Sequence, residues 1–371
     1  MNMNTTQIEP APRQDAFSEY FASPTRYGER WHNTLDPALK RQRNRAIFYN
    51  RYTSLEDFHR NIGSPDSIER VRFPSAANDI QADNLSCYLR KESIPPPEKL
   101  STGLKPYGYI PTALALAVHL LQVLPGDRVL EHGSSGASLA MAQSIWPHLQ
   151  PSSTTPPLAG AKKGVLHANW FDTGSSDSIA AGFRDTLPAS LGPTGTCEAM
   201  VIGPSSEDEQ TVEKPPLGDG GYDKVLVNPF SLGEAAISTR RKEPESTVSQ
   251  PAAWPPEKAS LTETTHLSLL LAALAAVRVG GRVMYATSSI AREENDGIVE
   301  QALSSAIEAV QHGTSEWTAE VVDFGLDVEK QIEEGWAERT EKGWIVLPDH
   351  AGGRQEGPLY FCMLTKNRAV A

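Results

Sequence analysis

The sequence predicts an α/β protein: a mostly parallel sheet covered on both faces by helices, preceded by a small, mainly helical N-terminal region. Three observations carry this. Beyond about residue 106, short apolar runs alternate with apolar stretches of helical length, and repeated β-α units put strands in parallel with helices on both faces. The 371 residues, 39% hydrophobic and 22% charged, suffice for one large core with an appendage. Finally, 28 Gly and 28 Pro gather between the periodic segments, where they read as turns and loops.

Residues 1–16 are polar, with Pro10 and Pro12, and are expected to be disordered. Residues 17–105 form the N-terminal region. Phe17, Tyr20, Phe21, Trp31, Leu35, Leu39, Ile47, Phe48, Tyr52, Leu55 and Phe58 recur at roughly helical spacing. Short extended pieces such as 86–89 follow, and Pro95-Pro96-Pro97 is a stiff spacer. Residues 106–371 form the main domain.

Within it, 110–124 reads as a buried helix, 127–131 as a strand and 139–145 as a helix after a Gly/Ser turn. Strand 164–168 and helix 176–187 follow, then strands 198–202 and 224–227. Residues 261–279 read as a long helix ended by Gly280-Gly281, with strand 282–286 behind it. Helix 295–310 and strand 359–364 complete the pattern, and 329–334 reads as a solvated helix. Segments 150–163, 203–221 and 234–258, rich in Pro, Ser, Gly and charge, are read as surface insertions.

Several function classes are disfavoured. The longest apolar stretch, 267–279, is interrupted by Arg278 and is too short to cross a bilayer. Three cysteines, Cys87, Cys197 and Cys362, are too scattered for a disulfide framework or a closed zinc site. A net charge of −12 argues against a protein that grips nucleic acid over its whole surface. Residues 1–105 carry 15 Lys/Arg against 13 Asp/Glu, whereas the remainder carries 19 against 33. The one dense basic run is 40–51, where Lys40, Arg41, Arg43, Arg45 and Arg51 stand without an acid and would contact RNA most cheaply.

The first β-α turn of an open parallel sheet is where a nucleoside cofactor binds. Here it reads Glu131-His132-Gly133-Ser134-Ser135-Gly136-Ala137, small residues before a helix start, with Glu131 placed to accept hydrogen bonds. The same turn could exist for its dihedrals alone.

Residues 125–131 (PGDRVLE), followed by Ser138-Leu139-Ala140, resemble the first motif of S-adenosylmethionine-dependent RNA (cytosine-5) methyltransferases of the Nop/Sun family. In the same order come 222–231 (YDKVLVNPFS), then 269–274 with 280–289, and 357–362, which is similar to the C-terminal strand of the family's mitochondrial member. The resemblance implies a Rossmann-like methyltransferase fold with a mostly parallel seven-stranded sheet.

It also locates departures. The family's two cysteines, one attacking C6 of the base and one assisting release, fall on Phe230 and Ser288, and its acid before the Pro falls on Val227. The glycine turn lacks Pro and Lys, and the acid expected after Asn169 is Trp170. Glu131, Gly133, Gly136 and Asn169 are then remnant cofactor positions. These departures lead us to expect no catalytic residues, no cofactor and no enzyme. The resemblance to the mitochondrial member then implies an assembly factor of the mitochondrial large ribosomal subunit, in the matrix. It would bind ribosomal RNA with a helical-repeat partner like the mitochondrial transcription termination factors. Trp317, Trp336 and Trp344 are the candidate anchors for that partner. The N-terminus holds no clear presequence, since Arg13 is the only basic residue among the first 20. The alternatives are an active S-adenosylmethionine-dependent RNA methyltransferase with atypical residues, or a small-molecule binding module.

Overall fold

The computed structural model describes residues 16–41, 45–63, 65–76, 85–90, 95–133, 137–146, 164–169, 173–191, 198–202, 221–229, 256–352 and 356–369. Residues 1–15, the segment 150–163, and most of 203–221 and 234–258 lie outside the described residues.

The main sheet has nine strands. Five are parallel: β5 (Arg128–Gly133), β6 (Val165–Asn169), β7 (Glu198–Ile202), β8 (Tyr222–Asn228) and β9 (Val277–Thr287). Their lateral order runs β9-β8-β5-β6-β7, so the chain reverses direction across the sheet at the β5/β8 boundary. β13 (Leu359–Arg368) lies antiparallel to β9, and its outer edge is shared by β12 (Trp344–Val346) and β10 (Trp317–Val321); β11 (Glu338–Arg339) closes a hairpin with β12. The sheet is therefore wider than the seven strands expected, because the β11–β12 hairpin adds an antiparallel edge.

Two apolar layers sandwich it. On one face lie α4 (Thr112–Leu121), α5 (Ser138–Ile145) and α6 (Thr173–Thr186). On the other lie α7 (Pro256–Ala276) and α8 (Asp296–Gln311). Side chains that alternate along β8 and β9 enter both layers: Leu226 and Met284 one, Val225, Val227 and Tyr285 the other. α9 (Leu326–Gly335), covering the helix read at 329–334, buries Val328 and Ile332.

The N-terminal region corrects the expectation of a mainly helical unit. Residues 45–111 build a four-stranded antiparallel sheet, ordered β2 (Ile68–Arg70), β3 (Cys87–Arg90), β1 (Arg45–Tyr49) and β4 (Tyr107–Pro111), beside α3 (Leu55–Ile62). The stretch Ala46-Ile47-Phe48-Tyr49 combines β-branched and aromatic residues, and its pairing with β3 and β4 on both sides overrides the helical spacing. β4 extends past the expected limit at residue 105. Apart from α3, the described helical part is 16–41, with α1 (Ala16–Phe21) and α2 (Asp36–Leu39) separated by a helical turn at Trp31–Leu35. Phe21, Trp31, Leu35 and Leu39 are buried in the layer that holds α7 and α8.

Polar contacts pin this N-terminal strap to the main domain. Arg26 donates to both carboxylate oxygens of Glu293, and the Tyr20 hydroxyl donates to one of them at 2.9 Å. Arg30 reaches Glu338 and Asp349. Burial by itself would raise the Glu293 carboxyl, but the Arg26 and Tyr20 hydrogen bonds outweigh it and hold Glu293 at about 2 against an ordinary 4.5. A depressed carboxyl stabilises the fold above its unfolded value and loses that contribution as pH falls towards the folded one. Arg26→Met should therefore be less stable than wild type at neutral pH. The two proteins should converge between pH 4.5 and about 2, as read by urea melts across that range. A difference independent of pH would remove the ion pair from the account.

The proposed partner anchors are not surface residues. Trp336 and Trp344 are each 4% exposed, stacked on Phe73 and covered by the Arg339 guanidinium respectively. Trp317 is half-buried under the Lys366 ammonium.

Candidate functional site

The parallel strands β5, β6, β7, β8 and β9 end on one edge at Gly133, Asn169, Ile202, Asn228 and Thr287. The β5/β8 boundary, where the sheet order reverses, is the position at which open α/β sheets bind ligands.

β5 delivers Glu131 and Gly133 to this edge. Glu131 is fully buried, and its carboxylate accepts the Ala137 N–H at 3.1 Å, the Ser138 N–H at 2.7 Å and the Ser138 hydroxyl. It therefore caps the first turn of α5 from seven residues upstream and complements the positive end of that helix. Gly133 has φ +147°, and a Cβ there would lie 2.0 Å from the Asn228 carbonyl oxygen. The junction of β5 with β8 thus leaves no room for a side chain at this position, and only glycine fits it. Between them His132 is held neutral, since burial pushes its imidazole down to about 4.

β8 ends in Asn228, whose side-chain amide donates to the Ala286 carbonyl at 2.7 Å and fastens β8 to β9. Val227, the position of the family's acid, is fully buried in the apolar layer that holds α7 and α8.

Beyond β9 the segment Thr287-Ser288-Ser289 is held by a buried network. The Thr287 hydroxyl donates to Asn295 Oδ1 at 2.7 Å, the Asn295 amide donates to the Ser289 carbonyl at 3.0 Å, and Ser289 Oγ accepts the Ala291 N–H at 3.0 Å. Tyr285 donates to the Glu294 carbonyl at 2.6 Å behind it. Thr287 and Ser289 are fully buried, whereas Ser288 between them is half-exposed. Two inward neighbours leave Ser288 as the residue that this bend presents outward.

Of the expected cofactor remnants, Glu131 and Gly133 come together at one strand end; Asn169 ends β6 two strands away from Asn228; Gly136 lies outside the described residues, as does Phe230. The basic run does not form one helical face. Lys40 ends α2 and pairs with Asp36, and Arg41 is exposed. Arg43 lies outside the described residues, and Arg45 opens β1 at its exposed end. Arg51 is turned inward: its backbone N–H donates to Gln143 Oε1 at 2.8 Å and its guanidinium to the Gln143 carbonyl at 3.2 Å.

The donor set suits a cationic ligand. The residues ending the parallel strands are uncharged, His132 beside them is neutral, and Glu131 and Glu294 are described carboxylates near them. An uncharged edge beside carboxylates suits the sulfonium and ammonium of S-adenosylmethionine. The capping role of Glu131 escaped sequence reading, although a carboxylate seven residues before Ser138-Leu139 was a visible signal.

No family model matches the chain. The curated "tRNA (cytosine(34)-C(5))-methyltransferase, mitochondrial" of Danio rerio is 27% identical over 287 residues, 75% of this chain and 69% of that protein. Among solved structures, a methyltransferase homologue protein from Pyrococcus horikoshii aligns with TM-score 0.55 at 15% identity, over 91% of each chain. The structure of NSun6 from the same organism, with SFG, aligns with TM-score 0.60 at 11% identity, over 95% of this chain and 98% of that one. These likenesses establish the methyltransferase fold. They also correct the expectations of no enzyme and no cofactor: a relative matched over three quarters of the chain is named as a methyltransferase, and the structure of a neighbour of the same fold is described with SFG.

Proposed function

We propose that this protein is an S-adenosylmethionine-dependent RNA methyltransferase with atypical residues at the reacting edge, acting in the mitochondrion. The observation that carries the reading is the Glu131–Gly133/Asn228 junction. At the reversal point of the sheet it offers a glycine-lined strand end, a buried carboxylate, a neutral His132 and no Lys or Arg among its described residues.

The cofactor supplies a methyl group on a positively charged sulfur. The Gly133 turn and the start of α5 would hold it, with Glu131 fixing where that helix begins. Asn228 keeps the ends of β8 and β9 in register, and the Thr287–Asn295–Ser289 network holds Ser288 at the mouth, where an RNA base would enter. Support for RNA and for the mitochondrion comes from the name of the Danio rerio relative.

Purified protein is expected to bind S-adenosylhomocysteine in calorimetry and to move tritiated methyl groups onto RNA. Separate arms with mitochondrial transfer RNA and with large-subunit ribosomal RNA identify the substrate, and mass analysis of the nucleosides locates the methyl. No binding together with no transfer to either RNA would refute the proposal.

A further inference from the structure

A second helix end reaches the same edge. α4 leads into β5, and its C-terminal Gln122 accepts from Arg282, low on β9, at 3.0 Å. A ten-residue helix spans about 15 Å and the climb from Arg282 to Thr287 is about 17 Å, so the α4 N-terminus stands level with the carboxyl ends of the strands. This end is buried and uncapped. Pro111 occupies the cap position and offers no side-chain acceptor. Thr112, Ala113 and Leu114 are 1%, 3% and 3% exposed, and Thr112 Oγ1 has no hydrogen-bond partner among the described residues.

Helical side chains lean towards the N-terminus, so the hydroxyl of Thr112, the first residue of α4, is aimed past the helix end, alongside first-turn N–H groups that have no intrahelical acceptor. Buried donors of this kind call for an acceptor, and the helix dipole favours an anionic one.

We infer that the α4 N-terminus with Thr112 receives the amino-acid carboxylate of S-adenosylmethionine; this rests on the cofactor-dependent reading above. The neighbouring helix end, that of α5, is already filled by Glu131. Residues 131–139 contain no Lys or Arg that could answer a carboxylate instead. The near-complete burial of Thr112 suits a group carried inside on a small enclosed ligand, not an RNA phosphate arriving from solvent.

The test measures binding of S-adenosylhomocysteine and of 5′-methylthioadenosine, which lacks the amino-acid part, to wild type, Thr112→Val and Thr112→Ser. Thr112→Val should weaken S-adenosylhomocysteine by about ten-fold, the equivalent of one charge-assisted hydrogen bond, and leave methylthioadenosine unchanged. Thr112→Ser should retain both. Without ligand, Thr112→Val should melt no lower than wild type, because it removes a buried hydroxyl that lacks a partner. Equal losses for both ligands, no loss for either, or a lower apo melting temperature would each overturn the inference. So would lost RNA binding with S-adenosylhomocysteine binding intact. If wild type binds methylthioadenosine but not S-adenosylhomocysteine, the carboxylate site is wrong while the nucleoside pocket stands; if it binds neither, the cofactor reading falls and takes this inference with it.

Discussion

Gly133→Ala is expected to be the most damaging single-methyl substitution at the candidate site. The added Cβ would sit 2.0 Å from the Asn228 carbonyl oxygen and 2.5 Å from its carbon, atoms of a central strand that cannot rotate aside. Its φ of +147° is strained for alanine in any case. Overpacking and backbone strain together cost about 3–5 kcal/mol, which for a chain of this size lowers the melting temperature by roughly 5 °C. Relief requires the ends of β5 and β8 to part, so ligand binding should fail even in the folded fraction. Thermal melts and S-adenosylhomocysteine calorimetry on the same sample check both halves. A variant that melts like wild type would mean that the two strands do not meet as described.

Glu131→Ala tests the other half of the junction. It strands the Ala137 N–H, the Ser138 N–H and the Ser138 hydroxyl, all buried, without an acceptor. Each such group costs about 1–3 kcal/mol, and partial relaxation leaves an expected loss of about 3 kcal/mol. Glu131→Gln should recover little, because one oxygen becomes an N–H₂ facing donors. Glu131→Asp keeps the charge but falls a methylene short of the helix, and should lie between. Urea melts rank the three. If all three matched wild type in stability and differed only in ligand binding, Glu131 would be a ligand contact and not a helix cap.

Both variants turn on a junction of which the sequence shows only one side. The turn 131–137 was visible as small residues after an apolar strand, and the β-α alternation beyond residue 106 was visible because centrally buried strands are continuous apolar runs. β5, β8, the helix around 267–276 and the core placement of Cys362 were all legible on that ground. The edge elements were not. β10 is half-buried throughout and β11 is two residues long, so neither carries a periodic signal of its own, and each exists because β12 and β13 offer a template.

The sequence by itself determined the fold class, the family-like order of motifs and the identity of the residues, Phe230 and Ser288, at the positions where the family it resembles has cysteine. Those depend on local composition and on spacing along the chain. Tertiary structure alone decided what these residues meet. The aromatic run at 46–49 became a strand because β3 and β4 flank it, and the basic run was split, with Arg51 drawn into contact with Gln143. Trp336 and Trp344 became core because Phe73 and Arg339 cover them. Thr112 became a candidate ligand contact because its hydroxyl is buried and no group among the described residues hydrogen-bonds to it. Hydrogen bonds and burial are set by approach between segments distant in sequence, and no local pattern records which approaches occur.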